Sequence, residues 1–205
     1  MQQYLLSCDT YKDVPDFNNS YVIERARALM KALANKYNGD QRIAWIDIGM
    51  YGKYGEFVDV CNQTPSPKIL ESYVNMHTDF FTKTQLVVKL DQPHACFYAL
   101  QKSNRIGIRH DTLGTKHGDF RATMLPRLAQ YSLEAYKLAS KRWQVAPHVC
   151  EIDAISRTTP ESVFIIGLGE SRSHHITTAS NGNTYRWDEL DSERQDQFTV
   201  MGNMG

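Results

Sequence analysis

Residues 32–57 read ALANKYNGDQRIAWIDIGMYGKYGEF, and their order is helix end, stop, strand, polar loop. Val22, Ile23, Ala26, Leu29, Met30, Leu33 and Tyr37 recur at three- and four-residue steps, which predicts an amphipathic helix running into this stretch. The preceding DFNNS offers Asn and Ser as caps for it. Asn38-Gly39-Asp40 stops the helix, and residues 43–48 read as a buried strand. Beyond the strand, a run rich in Gly and Tyr ends on Glu56. A helix, a short apolar strand and a polar strand end form the repeating unit of an α/β fold.

The same unit recurs down the chain. Ile69, Tyr73, Met76 and Phe80 mark a helix after a Pro65–Pro67 turn, and a strand follows at 85–90. A short helix over 95–101 leads to a strand at 105–110. Met124, Leu128, Tyr131, Ala135 and Leu138 predict one long helix over 120–142, then a strand at 147–152. A helix from Pro160 through 166, a strand at 174–178 and a weaker helix over 190–200 complete the pattern. Single strands between helices predict parallel pairing with right-handed crossovers. No linker or low-complexity tract divides the chain, so residues 1–205 are expected to form one unit.

An eight-stranded barrel typically takes ~250 residues. Five strands are legible here, which gives a partial TIM (β/α)8 barrel: about five parallel βα units, strands four to eight. An N-terminal barrel segment is then the partner this portion lacks, and open sheet edges would leave it prone to aggregate alone. A self-contained open sheet is the competing architecture. It gains nothing from phosphate-binding motifs, since Gly167-Leu168-Gly169 lacks the third glycine and the preceding strand of GxGxxG.

Lys+Arg and Asp+Glu balance at 23 each, so there is no basic field for nucleic acid. No apolar run approaches the ~20 residues that span a bilayer, and membrane insertion is not expected. The opening MQQYLLSCDTYKD lacks the charged and apolar regions of a signal peptide, and the compartment stays open. Cys8, Cys61, Cys96 and Cys150 are scattered without a CxxC pair, which argues against a structural zinc site or a disulfide scaffold. Cys96 and Cys150 lie in apolar segments and read as small buried hydrophobes.

Three stretches together carry a resemblance: IDIGMYGKYGE at 46–56, GIRHDTLG at 107–114 and APHVCE at 146–151. With the 32–57 segment they resemble the clan A glycoside hydrolases, the β-galactosidase-like members in particular. The set is closest to a group of bacterial barrel proteins related to that clan. The resemblance implies a glycosidase-like barrel acting on an oligo- or polysaccharide, often in exported proteins. It also implies an acid/base glutamate after strand four and a nucleophile after strand seven, which fall on Glu56 and Glu151. The clan places Asn-Glu directly at the strand end, whereas Gly49-Met50 stands there in this chain and Glu56 follows several residues later.

Retaining hydrolysis needs two carboxyl groups roughly 5–5.5 Å apart, and inversion roughly 6.5–9.5 Å. Tyr51 and Tyr54 are expected to form an apolar wall near Glu56, and Arg109 to keep Glu151 ionised. Asp111, Lys89 with Asp91, and Asn181 with Asn183 extend a polar rim suited to sugar hydroxyls. Asp47, within an apolar strand, is expected to be buried with a partner such as Arg109. Trp143, just before a strand, reads as core. A non-catalytic carbohydrate-binding or structural relative is the second reading. A metal-dependent hydrolase is the third, since His110, Asp111, His117 and Glu151 supply enough N/O ligands for zinc or manganese. Neither HExxH nor another fixed ligand spacing is present, so no metal or other cofactor is expected.

Overall fold

Helix α1 (Ser20–Tyr37) starts where the Asn19 side chain accepts from the Tyr21 N–H at 2.9 Å, satisfying one of the donors that a helix start leaves open. It ends at Asn38, and Gly39 takes φ +89°, a left-handed conformation that glycine adopts freely. The Asn38 Oδ1 then accepts from Lys83 and Thr84 N–H, which ties this stop to the chain entering a later strand. The computed structural model describes residues 4–8, 13–115, 119–152, 160–180, 191–193, 195, 196 and 199. The chain divides into two compact units, Met1–Ile106 and Gly107–Gly205.

In the first unit a small antiparallel pair, β1 (Leu5–Leu6) and β2 (Val14–Pro15), precedes α1. Strand β3 (Ile46–Ile48) then lies parallel to β6 (Leu86–Lys89), with Asp47 opposite Val87. Between them come two short strands, β4 (Tyr51–Gly52) and β5 (Glu56–Val58), and helix α2 (Pro67–Thr78). Helix α3 (Pro93–Lys102) closes the unit. Pro67 and Pro93 stand in the first turns of their helices, where the missing N–H costs nothing. Leu86, Val87 and Val88 are all buried, as expected of a parallel strand covered on both faces. Phe17, Tyr51, Phe57 and Tyr73 form an aromatic core, and the Tyr73 hydroxyl donates to the Phe17 carbonyl at 2.9 Å. A disulfide joins Cys8 to Cys61, a pairing that the scattered cysteine positions did not suggest.

In the second unit β7 (Gly107–Leu113), β8 (His148–Ile152) and β9 (Thr178–Ser180) pair in parallel, in that order. The region expected as one helix over 120–142 is broken. A π-helical turn at Phe120–Met124 runs into α4 (Leu125–Tyr131), and α5 (Leu133–Ser140) starts afresh. Ser132 separates α4 from α5 with extended backbone, and its Oγ accepts from the Glu134 and Ala135 N–H groups. Helix α6 (Pro160–Ser173) continues past 166 through Gly167 and Gly169, so the last strand lies at 178–180 rather than 174–178. His174 and His175 are turn residues.

Each unit is therefore α/β with parallel strands, β3 with β6 and β4 with β5 in the first, and β7, β8 and β9 in the second. Among the described residues no helix is long and apolar enough to cross a membrane. Of the helix expected over 190–200, Ser192, Glu193, Gln195, Asp196 and Thr199 are described as helical and Asp191 as outside the helix.

Candidate functional site

The Gly- and Tyr-rich run after β3 positions Glu56 through backbone that few residues can adopt. Gly52 takes φ +83°, and a Cβ there would run into the Val58 backbone. A Cβ at Gly49 would meet the Gly55 carbonyl oxygen. Met50 and Phe57 also lie in the left-handed region, at φ 73° and 61°, a cluster of unfavourable conformations of the kind that functional loops carry. The run folds into the β4–β5 pair, in which Tyr51 is in register with Glu56. His77 of α2 braces it from below: its Nε2 accepts from the Gly49 N–H at 3.4 Å, and its Nδ1 donates to the Tyr73 carbonyl at 2.7 Å. Burial holds His77 down to about 4, so the ring is neutral and its two nitrogens have distinct roles.

Glu56 lies in β5, partly buried, with Lys89 Nζ 3.0 Å from its Oε2. Lys89 stands at the end of β6 and lies 3.7 Å from Asp91 as well. Tyr54 is 68% exposed, with the Lys53 ammonium over its ring, and is free to meet a ligand. Tyr51 is not: its ring is wholly buried against Phe17, Phe57 and Tyr73 and belongs to the core. Asp47 is exposed rather than buried, because β3 turns that face outward.

In the second unit, residues 109 and 111 alternate with buried neighbours along β7. Arg109 Nη2 lies 3.0 Å from Asp111 Oδ1 and 3.0 Å from Glu151 Oε2, with Glu151 near the end of β8. One guanidinium thus holds two carboxylates and fixes their orientation. The expected Arg109–Glu151 pairing is present. Asn181, Asn183 and His117 lie outside the described residues.

The opposite faces of β7 and β8 carry a cluster that sequence reasoning missed. His110 is in register with Cys150, and His148 with Ile108, so His110, His148 and Cys150 converge. His110 Nδ1 is 2.9 Å from His148 Nε2 and 3.3 Å from Cys150 Sγ. All three are buried, His110 and His148 completely. Phe120 stacks over His110 at 5.9 Å and also packs on His148 and His174. Burial lowers His110 to about 4 and His148 to about 3, and the neighbouring imidazoles push in the same direction. Burial also pushes the Cys150 thiol well up, aided by the charges of Glu170 and Asp111. Glu170, itself raised to about 7 by burial, accepts from the Gly114 N–H at 3.0 Å.

The signal for this cluster lay in the period-two spacing His148-Val-Cys150 and in His110 at an inward position of IGIRHD. Strand register alone brings the two together. Of the expected N/O metal ligands among the described residues, only His110 takes part. Asp111 and Glu151 are turned to Arg109 instead. Trp143, expected as core, is 38% exposed and stacks on His175 at 3.5 Å. His175, with His174, Phe120 and Tyr136, lines a cavity of about 710 Å³. No family model, curated protein or solved structure matches the chain, which leaves the residues and their geometry to carry the functional reading.

Proposed function

We propose that the parallel βα units are strands four to eight of a glycosidase-type (β/α)8 barrel, and that its strand-end carboxylates cleave an oligo- or polysaccharide. Glu151 is the nucleophile in this reading and Glu56 the acid/base. The observation that carries it is the placement of Glu151: near a strand end, partly buried, and held by Arg109 at 3.0 Å. A nucleophilic carboxylate must be aimed, and a guanidinium shared with Asp111 supports that requirement. Asp111, Arg109 and the exposed Tyr54 then serve as sugar contacts.

Glu56 has to deliver a proton to act as the acid, while Lys89 Nζ stands 3.0 Å from its Oε2. The proposal therefore has Lys89 move to Asp91, already within 3.7 Å, as the sugar binds. The Lys89–Glu56 pair favours one alternative, a barrel that binds carbohydrate without cleaving it. A panel of aryl glycosides and soluble polysaccharides distinguishes the two. Turnover by the wild-type protein should fall on the order of 10⁴-fold in Glu151→Gln, with sugar binding retained in calorimetry. Binding without turnover in the wild type selects the non-catalytic reading. Absence of both sinks the proposal.

A further inference from the structure

We propose that His110, His148 and Cys150 form a binding site for a zinc ion, set between β7 and β8 beneath Phe120. The site is separate from the strand-end carboxylates and does not rest on their assignment.

The geometry carries the inference. The three ligand atoms lie within 4.8 Å of one another. Zn–N bonds of about 2.0–2.1 Å and Zn–S bonds of about 2.3 Å, arranged tetrahedrally, put ligand atoms about 3.3–3.6 Å apart. His110 Nδ1 is 2.9 Å from His148 Nε2 and 3.3 Å from Cys150 Sγ, two separations that need to widen by only a few tenths of an ångström, while the third lies within 4.8 Å. One ring is already set for coordination. His148 Nδ1 donates to the His174 carbonyl at 3.2 Å, which leaves Nε2 as the lone-pair nitrogen facing His110 and Cys150. A backbone carbonyl fixing the far nitrogen of an imidazole is the usual support of a metal-bound histidine.

The surroundings point the same way. Leu113, Ile152 and Ile176 pack around Cys150, and a hydrocarbon core would be served by hydrocarbon side chains at these positions. Two imidazoles and a thiol buried together are costly unless they share a purpose. The alternative purpose is a bare hydrogen bond from one neutral ring to the other, which leaves the thiol with only a weak contact. Two nitrogens and one sulfur suit zinc better than magnesium or calcium, which take oxygen ligands. On binding, the Cys150 thiol loses its proton to solvent, and His110 moves its proton from Nδ1 to Nε2. One proton is released overall, and the ion with its ligands keeps a charge of +1. Glu170 bears on that charge: its Oε1 is buried without a hydrogen-bond partner among the described residues. Phe120 and His174 line the 710 Å³ cavity and also touch the cluster, so they mark the way in.

The test uses cobalt(II) as the spectroscopic stand-in for zinc, on the whole protein stripped with chelator but kept free of thiol reductant. With Cys8 and Cys61 joined, Cys96 and Cys150 are the remaining thiols. Titration to equilibrium should give a thiolate-to-cobalt charge-transfer band and strong tetrahedral d–d bands, saturating at one ion per chain and abolished by zinc. Cys96→Ser should keep both bands. Cys150→Ser should lose the charge-transfer band, and His148→Gln should weaken binding at least tenfold. If Cys150→Ser does not fold, Cys96→Ser decides alone, since any thiolate band it shows can come only from Cys150. A wild-type protein without the charge-transfer band overturns the proposal. So does a band that disappears in Cys96→Ser or survives in Cys150→Ser.

Discussion

His77 shows how one side chain can set the pH range of a loop. Its neutral ring donates to Tyr73 and accepts from Gly49, at the turn from which the segment carrying Glu56 departs. Protonation at Nε2 would replace that acceptor with a donor and break the Gly49 hydrogen bond. Burial lowers its folded value from 6.5 to about 4, so the unfolded chain takes up the proton first as the pH drops. The stability that neutral His77 contributes is therefore complete above about 6.5 and declines as the pH falls towards about 4. One proton of difference gives a slope of at most ~1.4 kcal/mol per pH unit in that window. Urea unfolding of the wild type and His77→Gln at pH 7 and pH 5 should show a smaller pH dependence in the variant. Equal dependence in both would remove His77 from the account.

At the scale of elements, the break between α4 and α5 rests on Ser132. Its hydroxyl accepts from two N–H groups that the start of α5 would otherwise leave open. Ser132→Ala should cost ~1 kcal/mol, seen as a lower unfolding midpoint with an unchanged helical circular dichroism signal. An unchanged midpoint would show that the cap carries no weight. The same break shows what the amino-acid sequence could and could not convey. The spacing of Met124, Leu128, Tyr131, Ala135 and Leu138 stays in helical phase across Ser132, so periodicity alone runs one helix through it. By contrast, the end of α1 was legible, because Asn38 and Gly39 carry local signals. Strands β3, β6, β7 and β8 were legible from their apolar runs. The last strand was not, because the helix read only through 166 runs on through Gly167 and Gly169 to Ser173 and displaces it. The Arg109–Glu151 contact followed from two polar strand ends. The His110–Cys150 convergence depends on the register of β7 against β8, which no single segment encodes.

At the scale of the whole molecule, the covalent link from Cys8 to Cys61 constrains the chain most directly, because it persists when the fold is lost. Four cysteines without a spacing motif left the pairing unreadable, because connectivity is decided by the fold rather than by the intervals. The link joins residues 53 apart in sequence, on either side of α1 and the turn that presents Glu56. Closing a loop of that length removes conformational freedom from the unfolded chain worth about 4 kcal/mol on the entropy model. That is a large share of the 5–15 kcal/mol that typically holds a domain folded. Such a link persists in oxidising compartments and is reduced elsewhere. Protein made in an oxidising compartment should show two alkylatable thiols when denatured without reductant, and four after reduction. Protein made in a reducing cytosol should show four from the start and unfold at lower denaturant. The Cys8→Ser, Cys61→Ser double variant should match the cytosolic form in its unfolding midpoint and respond to neither oxidant nor reductant. If all three preparations unfold at the same denaturant concentration, the link contributes nothing to stability, and the non-covalent packing of the first unit, with Tyr51 and Tyr73 at its centre, is sufficient without it.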